Sequence, residues 1–305
     1  MKPLLQVQGL SKSYQGRPAV QEVSFCVQAG QSVALLGPNG SGKTTILRCV
    51  AGLLKVDSGS ISIAGLRQSR NNRQVRRHFT YLPQQASFPP VLSASEIIAF
   101  HARLRGLGER ERRQALQEAG IPQRDQARPV SGLSVGMRQR LSLAVAGMGQ
   151  AELMLFDEPT ASLDVEAALH MRELAGRWRE QGRALLFSTH VLADVEGLAE
   201  KAVILVDGRV VARQDVAALR AELSRRSLLR VRMKSTSPAL AQAAKEAGAI
   251  EVGLNGRSLL VTASPRRRYQ ILARLAELGQ VESFQTEEPS IERVYMSYVD
   301  KRDQG

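Results

Sequence analysis

The chain has 305 residues, of which 43% are hydrophobic and 4% aromatic, a composition typical of a globular α/β protein. The length suggests about two domains. No apolar run reaches the ~20 residues that a membrane helix needs, and the first residues do not resemble a signal peptide, so we expect neither. The formal net charge of +13 would suit an anionic membrane surface or a nucleic acid equally well, and charge alone does not distinguish them.

The first elements in chain order are two predicted strands joined by a polar loop. Residues 4–8 alternate between apolar and polar side chains, and residues 20–27 predict a second strand. Tyr14 lies in the loop between them. A single tyrosine in a loop is usually a surface residue, although its flat ring could also stack on a nucleotide base.

A glycine-rich loop follows a short apolar run at residues 32–36 and precedes a predicted helix over residues 44–54. Strand, loop and helix in this order are the context in which the P-loop pattern has meaning. We expect Ile46, Val50 and Leu53 to form one face of the helix. The loop consists of Gly37, Pro38, Asn39, Gly40, Ser41, Gly42, Lys43, Thr44 and Thr45.

The residue types of this loop suit the phosphates of a nucleotide. Its glycines let backbone N–H groups converge on an anion, and the N-terminus of the helix adds partial positive charge. Lys43 supplies a point charge for the β- and γ-phosphates, and the Thr44 hydroxyl can ligate Mg²⁺. We therefore predict a nucleotide site rather than a turn that carries Lys and Thr by chance. Cys26 and Cys49 lie near this loop, and we expect reduced core residues rather than a disulfide or a metal pair.

The middle of the chain predicts a strand over residues 60–64, an apolar segment that ends at Gln84, and helices over residues 94–105 and 110–119. His101 lies on one face of the first of these helices. Neither a second histidine nor a cysteine or acidic cluster accompanies it, which favours a helix-face residue over a metal ligand.

A further helix is predicted from residue 133 to about residue 149, with Ser134 as its N-cap. The bare N-terminus of this helix would be a second anion site, separate from the P-loop. Its predicted buried stripe is Met137, Leu141, Ala144, Val145 and Met148.

The apolar run at residues 153–156 has the character of a central strand buried on both faces, and it leads directly to Asp157 and Glu158. In a P-loop enzyme the first acid of such a pair holds Mg²⁺ and the second polarises an attacking water. The alternative is that the pair caps the next helix, which the apolar run and Pro159 disfavour.

The rest of this half predicts a helix from residues 162–164 to residue 181, a strand over residues 184–187 and a hairpin over residues 201–212. His190 follows the strand. The expected inward face of the helix is Ala168, Met171, Ala175 and Trp178.

Taken together, these motifs resemble the ATP-binding subunit of ABC transporters over about residues 3–215. Six motifs in the family's order are specific, where any one alone would be weak. They are residues 37–45 (Walker A), Gln84 (Q-loop), residues 133–137 with the sequence LSVGM (signature), residues 153–158 (Walker B), residues 162–164 (D-loop) and His190 (switch histidine).

The resemblance implies a role for each motif, with ATP and Mg²⁺ as cofactors. Tyr14 would stack on adenine, and Lys43 and the loop amides would bind phosphate. Glu158 would be the general base, and His190 would contact the γ-phosphate. The implied Mg²⁺ ligands are Thr44, Gln84 and Asp157.

The resemblance also implies a head-to-tail dimer of ATPase subunits, expected to be a homodimer. Ser134 and Gly136 of one subunit would meet the ATP held by the other, and the D-loop residue Asp164 would also bind the nucleotide. The usual signature is LSGGQ, from which Val135 and Met137 depart, whereas the phosphate-facing pair remains. We therefore expect a catalytically competent site.

A narrower resemblance is to ATPase subunits of export-type systems, notably the transporter that serves nitrous-oxide-reductase maturation and is linked to copper and sulfur supply. The stretches that carry it are residues 74–106, 136–144 and 289–299. A separate transmembrane permease would be the partner, with the chain peripheral on the cytoplasmic face of the cell membrane. The rival class is a soluble ABC-type ATPase that acts on nucleic acid or ribosomes, but the second cassette or long insertion common there is not visible, so we expect no nucleic-acid partner.

The chain changes character after the basic stretch at residues 220–232. Residues 229–234 alternate apolar and basic side chains, as a half-buried strand does. Two Ser-Pro pairs, at residues 237–238 and 264–265, each predict a helix that ends at a glycine before another strand. The repeated strand–helix–strand order indicates a ferredoxin-like sandwich, with two helices on one sheet face and Leu272, Leu275 and Leu278 buried.

A terminal helix is predicted over residues 291–299. Its apolar stripe could support a dimer interface or cover its own sheet, and both readings stay open. The stripe is Ile291, Val294, Tyr295 and Tyr298.

The predicted fold class is therefore α/β: a P-loop NTPase cassette of the ABC type with a RecA-like core, an antiparallel β subdomain and a helical subdomain. A small α+β ferredoxin-like domain follows it. We place the cassette at residues 1–219 and the accessory domain at residues 220–305.

Overall fold

The computed structural model describes residues 2–287, except residues 70, 71, 86, 162–164, 225, 226, 279 and 280. The chain divides into two compact units, Met1–Gln214 and Asp215–Gly305. Among the described residues, none of the helices combines the length and apolar character needed to cross a bilayer.

The first unit contains a small antiparallel sheet of β1 (Leu5–Tyr14), β2 (Arg17–Val27), β4 (Ser58–Ile63) and β5 (Leu66–Arg67), in the order β2-β1-β4-β5. Tyr14 was predicted in a loop, but it is the last residue of β1 and pairs with Arg17. The strand extends beyond the alternating residues because bulges after Val7, Leu10 and Lys12 let it continue along β2.

The central sheet has six strands in the order β10-β9-β3-β8-β7-β6. The pairs β6–β7, β7–β8, β8–β3 and β3–β9 are parallel, so the carboxyl ends of these five strands meet at one edge. Every residue of β3, β7 and β8 is buried. The strands are β3 (Ser32–Leu36), β6 (Phe79–Leu82), β7 (Leu153–Asp157), β8 (Ala184–Thr189), β9 (Lys201–Val206) and β10 (Arg209–Asp215).

The helices of the first unit surround these sheets. They are α1 (Lys43–Val50), α2 (Ala94–Leu104), α3 (Glu109–Ala119), α4 (Val135–Gly147), α5 (Val165–Glu180) and α6 (Leu192–Leu198). α1 packs between the two sheets, where Ile46 and Val50 join one hydrophobic core. Leu53 was expected on the same face but is 56% exposed, because α1 ends at Val50 and the following turn points it outward.

Helices α2, α3 and α4 share a separate core, which includes Ile98, Ala119 and Leu141. A capping box of Ser93 and Glu96 begins α2. Of the stripe predicted on α4, Met137 is half-buried and the other members are buried. Of the inward face predicted on α5, Met171 and Trp178 are buried, whereas both alanines are half-buried.

Two arginines hold the C-terminal end of α4. Arg105, from the end of α2, donates through Nη1 to the carbonyls of Val145 (2.8 Å) and Met148 (2.7 Å). Arg183, next to β8, donates to the carbonyl of Gly147 at 2.8 Å. These bonds satisfy carbonyls that a helix end leaves without partners and bring positive charge to the negative end of its dipole.

The cysteines differ in their surroundings. Cys49 lies in α1 and is buried, and burial raises the pKa of its thiol to about 11. Cys26 was expected in the core, but it is exposed because Phe25 and Val27 take the inward positions of β2. Both cysteines are free.

The second unit has an antiparallel sheet in the order β12-β13-β11-β14, with helices after its first and third strands in the chain. Two strand–helix–strand units interleaved in this order form a ferredoxin-like sandwich. The elements are α7 (Val216–Ser224), β11 (Ser227–Met233), α8 (Pro238–Glu246), β12 (Ala249–Asn255), β13 (Ser258–Ala263), α9 (Arg268–Glu277) and β14 (Val281–Glu287).

Both helices of this sandwich contribute to one core with the alternate residues of β11 and β13, including Leu240, Ile271 and Leu275. Leu272 is half-buried and Leu278 is 41% exposed, so the burial expected for these two is not met. The reason is that α9 begins at Arg268, three residues after the Ser-Pro pair, and its inward face centres on Ile271 and Leu275. The predicted terminal helix at residues 291–299 lies outside the described residues.

Candidate functional site

The P-loop connects β3 to α1 at the carboxyl edge of the central sheet. Gly40 and Gly42 have φ of +84° and +94°, which favours glycine. At Gly37 a Cβ atom would lie 2.4 Å from the carbonyl oxygen of Leu205, and at Gly42 it would lie 2.5 Å from that of Ala19. Positions 37 and 42 therefore accept only glycine, because a larger residue would collide with a backbone carbonyl.

Lys43 begins α1 with a side chain that is only 5% exposed. Its Nζ donates to the carbonyls of Gly37 (2.8 Å) and Pro38 (2.9 Å), and lies 3.8 Å from Glu158 Oε1. Burial lowers the pKa of the Lys43 ammonium, while the charges of Glu158 and Asp157 act in the opposite direction. The ammonium is thus held inside the loop where a phosphate would lie.

The Ser41 hydroxyl is buried and has no hydrogen-bond partner among the described residues. Buried polar atoms are nearly always bonded, so an unpaired donor in this loop indicates a ligand that supplies the acceptor. A nucleotide phosphate fits that requirement, since the surrounding groups are backbone amides and the Lys43 ammonium.

Asp157 ends β7 and is 1% exposed. Its Oδ1 accepts hydrogen bonds from the hydroxyls of Thr44 (2.9 Å) and Ser188 (2.7 Å). A carboxylate and a hydroxyl at this distance are hard oxygen ligands, which Mg²⁺ prefers. No group of three or more His, Cys, Asp or Glu side chains forms a metal cage in the described part of the chain.

Glu158 follows Asp157 with φ of +49°, so the backbone leaves the strand direction abruptly. Its N–H donates to Ser188 Oγ at 2.8 Å. One carboxylate oxygen, Oε2, lies 2.8 Å from His190 Nδ1, whereas the other faces Lys43. The carboxylate is nearly buried, but the His190 side chain is 45% exposed. The Glu158 carboxylate, the Lys43 ammonium and the His190 imidazole therefore lie close together.

Gln84 lies two residues beyond β6, whose Leu82 is level with Phe156 of β7. It is therefore at the carboxyl edge near Asp157, with an exposed side chain. Tyr14 is 44% exposed, with the Lys12 ammonium 5.9 Å from its ring centroid. The roles of Gln84 at Mg²⁺ and of Tyr14 at adenine stay predictions.

Ser134 is the N-cap of α4, and its Oγ accepts from the N–H of Met137 at 3.2 Å. It is exposed, and Gly136 is half-buried in the first turn. The predicted second anion position is thus a helix N-terminus accessible from outside. Asp164 lies outside the described residues, so its predicted role stays a prediction.

The motifs did not indicate Ser188 or Asp194 as site residues. Ser188 pairs with Asp157 in the parallel register of β7 and β8, a relation that only strand alignment shows. Asp194 is buried in α6, where it accepts from the hydroxyls of Thr160 (2.5 Å) and Thr189 (3.0 Å). It thereby joins the segment after Glu158 to the segment that carries His190.

Comparison with known proteins identifies the cassette. A family model described as ABC transporter matches residues 20–161. The SkfA peptide export ATP-binding protein SkfE of Bacillus subtilis (strain 168) is 37% identical over 212 residues, which are 68% of this chain and 87% of that protein. The chain belongs to the ABC transporter family. It is an ATP-binding subunit and an ATPase of that family, as the motifs predicted.

Two further similarities extend this ABC assignment. The linearmycin resistance ATP-binding protein LnrL of Bacillus subtilis (strain 168) is 26% identical over 304 residues, covering 96% of this chain and 97% of that protein. A solved structure of an ATP binding subunit of an ABC transporter is similar with a TM-score of 0.66 and 32% identity. The matched region is 72% of this chain and 92% of the chain in the solved structure. The cassette fold predicted from the sequence is confirmed.

Proposed function

We propose that this chain is the motor of an export system, in which two copies hydrolyse ATP to drive a separate transmembrane permease at the cytoplasmic membrane face. The observation that carries the proposal is the convergence of Lys43, Asp157, Glu158 and His190 at one sheet edge. A cassette that only binds nucleotide would not need a buried carboxylate oriented by an imidazole. The relatives named for peptide export and for linearmycin resistance support export.

Different residues of the site would bind the phosphates and the Mg²⁺ ion. Lys43 would exchange the carbonyls of Gly37 and Pro38 for the β- and γ-phosphates, since these acceptors lie within the same loop. Thr44, Asp157 and Gln84 would hold Mg²⁺, which would neutralise charge on the phosphates.

Glu158 would accept the proton of the attacking water, and His190 would orient this carboxylate and face the γ-phosphate. The 2.8 Å contact between His190 Nδ1 and Glu158 Oε2 supports this orienting role. Buried and paired in this way, the carboxylate needs little reorganisation for the chemical step.

A second copy would complete each site. Ser134 and Gly136 lie at an accessible helix N-terminus, which attracts anions. In the dimer, the N-terminus of α4 would face the ATP bound by the P-loop of the partner copy, and a phosphate of that ATP would be its ligand. We expect Asp164 at the same junction.

The permease would contact a groove of about 420 Å³ between the end of β6 and α2. Phe88 is half-buried there against the helical core, with its ring centroid 6.2 Å from that of His101. Phe100 borders the same groove and is 55% exposed. We therefore place the apolar contact with the permease at Phe100.

Phe100→Asp tests the permease contact. In the assembled transporter it should abolish transport, while the basal ATPase activity of the isolated chain stays near wild type, because Phe100 lies outside the catalytic edge. Leu169→Asp, at a position 52% exposed on α5, is the matched control and should leave transport intact. Crosslinks from position 100 that reach no permease helix would contradict the proposal.

The narrower prediction of a role in nitrous-oxide-reductase maturation rests on residues 74–106, 136–144 and 289–299. Deleting the gene and measuring the copper content of that enzyme would test it, alongside resistance to exported peptides or antibiotics. Loss of copper with unchanged resistance would favour maturation, and the reverse would favour peptide or antibiotic export. We do not propose action on nucleic acid, since both named relatives are described as export or resistance proteins.

A further inference from the structure

Ser188 lies near the end of β8 and is completely buried. Its register partner across the parallel pair is Asp157. The hydroxyl donates to Asp157 Oδ1 at 2.7 Å and accepts from the Glu158 N–H at 2.8 Å. One side chain therefore contacts both acids of the Walker B pair.

The second contact explains how Glu158 can turn. With φ of +49°, the Glu158 backbone departs from the extended geometry of β7, which ends at Asp157, and its buried N–H donates to the Ser188 hydroxyl. A buried N–H without an acceptor is costly, and the Ser188 oxygen provides that acceptor. A hydroxyl can donate and accept at once, which an apolar side chain of the same size cannot do.

The change of backbone direction at Glu158 also determines where its carboxylate points. Oε2 meets His190 and Oε1 faces Lys43, both at the catalytic edge. A change in the backbone at Glu158 would move these oxygens together. Misplacement of a reacting group by about 1 Å can lower a rate by about a hundredfold.

We propose that Ser188 is a positioning residue for ATP hydrolysis, which holds Asp157 and Glu158 in their mutual orientation through its single hydroxyl. The inference rests on the proposed function, in which Glu158 is the base. Ser188 itself is expected to contact neither the nucleotide nor the attacking water, because it is completely buried and its hydroxyl proton is donated to Asp157.

Substitutions to Thr and Val test the hydroxyl at constant side-chain shape. In the full chain, Ser188→Val should lower kcat about ten- to a hundredfold and leave the KM for ATP within about twofold, because orientation fails while the P-loop is intact. Ser188→Thr keeps the hydroxyl and should recover most of the rate. Ser188→Ala, which adds no atoms, should behave as Ser188→Val does.

Ser32→Ala is the matched control for loss of a buried serine hydroxyl. Ser32 lies in β3 of the same sheet, and its Oγ donates to the carbonyl of Leu198 at 2.5 Å, not to an acid. We expect it to lower the thermal midpoint as Ser188→Ala does while kcat stays near wild type. Affinity for ATP, measured without Mg²⁺ by fluorescence titration, should be unchanged in every variant.

A double-mutant cycle separates this inference from the role of Glu158 itself. In a Glu158→Gln background, Ser188→Ala should cause a smaller proportional loss of rate than in the wild type, because only its contact with Asp157 still contributes there. An equal proportional loss in both backgrounds would overturn the inference, as would Ser188→Ala turning over like wild type. Near-normal turnover of Glu158→Gln alone would instead contradict the proposed base.

Discussion

Replacing Glu158 by Gln changes the proposed base without changing its size. The carboxylate lies 2.8 Å from His190 Nδ1 and 3.8 Å from Lys43 Nζ, and a glutamine side chain can keep a hydrogen bond to the imidazole. An amide cannot accept the proton of a water molecule. Since a positioned base typically contributes about 10²–10⁴-fold, we expect kcat to fall by that factor, which corresponds to about 3–5 kcal/mol of barrier.

The same substitution should preserve nucleotide binding, because the Lys43 ammonium keeps its two loop carbonyls or exchanges them for phosphates. Phosphate release measures turnover, fluorescence titration measures affinity, and size-exclusion chromatography with ATP should show a trapped dimer. Glu152→Gln is the control, because it neutralises an exposed carboxylate paired with His78 at 2.9 Å. Turnover of Glu158→Gln close to that of Glu152→Gln would refute the assignment.

Three further outcomes follow from other parts of the chain. Lys43→Ala should lower the affinity for ATP, and an unchanged dissociation constant would count against the phosphate-binding loop. At pH 7.5 a thiol reagent should label the exposed Cys26 and spare Cys49, whose thiol pKa is raised to about 11 by burial and which stays neutral until the pH approaches that value; mass spectrometry of the native protein would reveal the opposite pattern. Removing residues 220–305 should leave a folded cassette that binds ATP but dimerises more weakly. Truncation before Pro289 then distinguishes the two roles left open for the terminal helix. Melting of the remaining tail would show that the helix covers its own sheet, whereas a folded tail with weaker dimerisation would show that it forms the dimer interface.

The P-loop and the acids at 157 and 158 were predictable because their positions follow from elements that are adjacent in the chain. A strand, a turn of glycines and a helix follow each other in the chain, so the residue pattern alone indicates the geometry. The ferredoxin-like order of the second unit was predictable for a similar reason, since its helices and strands alternate with clear boundaries. His190 was found only through its spacing within a family pattern.

Other features depended on contacts that no local pattern contains. Leu53 and Leu278 fit an apolar stripe, but their helices end or begin elsewhere, so both side chains reach solvent. The prediction that Cys26 lies in the core was wrong because its neighbours in the chain, Phe25 and Val27, occupy the inward positions of β2. Ser188 looked like an ordinary strand residue, and its importance depends on the register between β7 and β8, which joins residues far apart in the chain.

The arginine contacts at the end of α4 have a mechanical consequence. Arg105 and Arg183 anchor that end from two sides, whereas the opposite end carries the exposed Ser134. α4 has 13 residues and is therefore about 20 Å long. A rotation of about 10° around the anchored end would move Ser134 by about 3.4 Å, more than the usual donor–acceptor distance of a hydrogen bond. In the proposed dimer, a small tilt of α4 about this end would therefore be enough to bring Ser134 to a phosphate or to withdraw it.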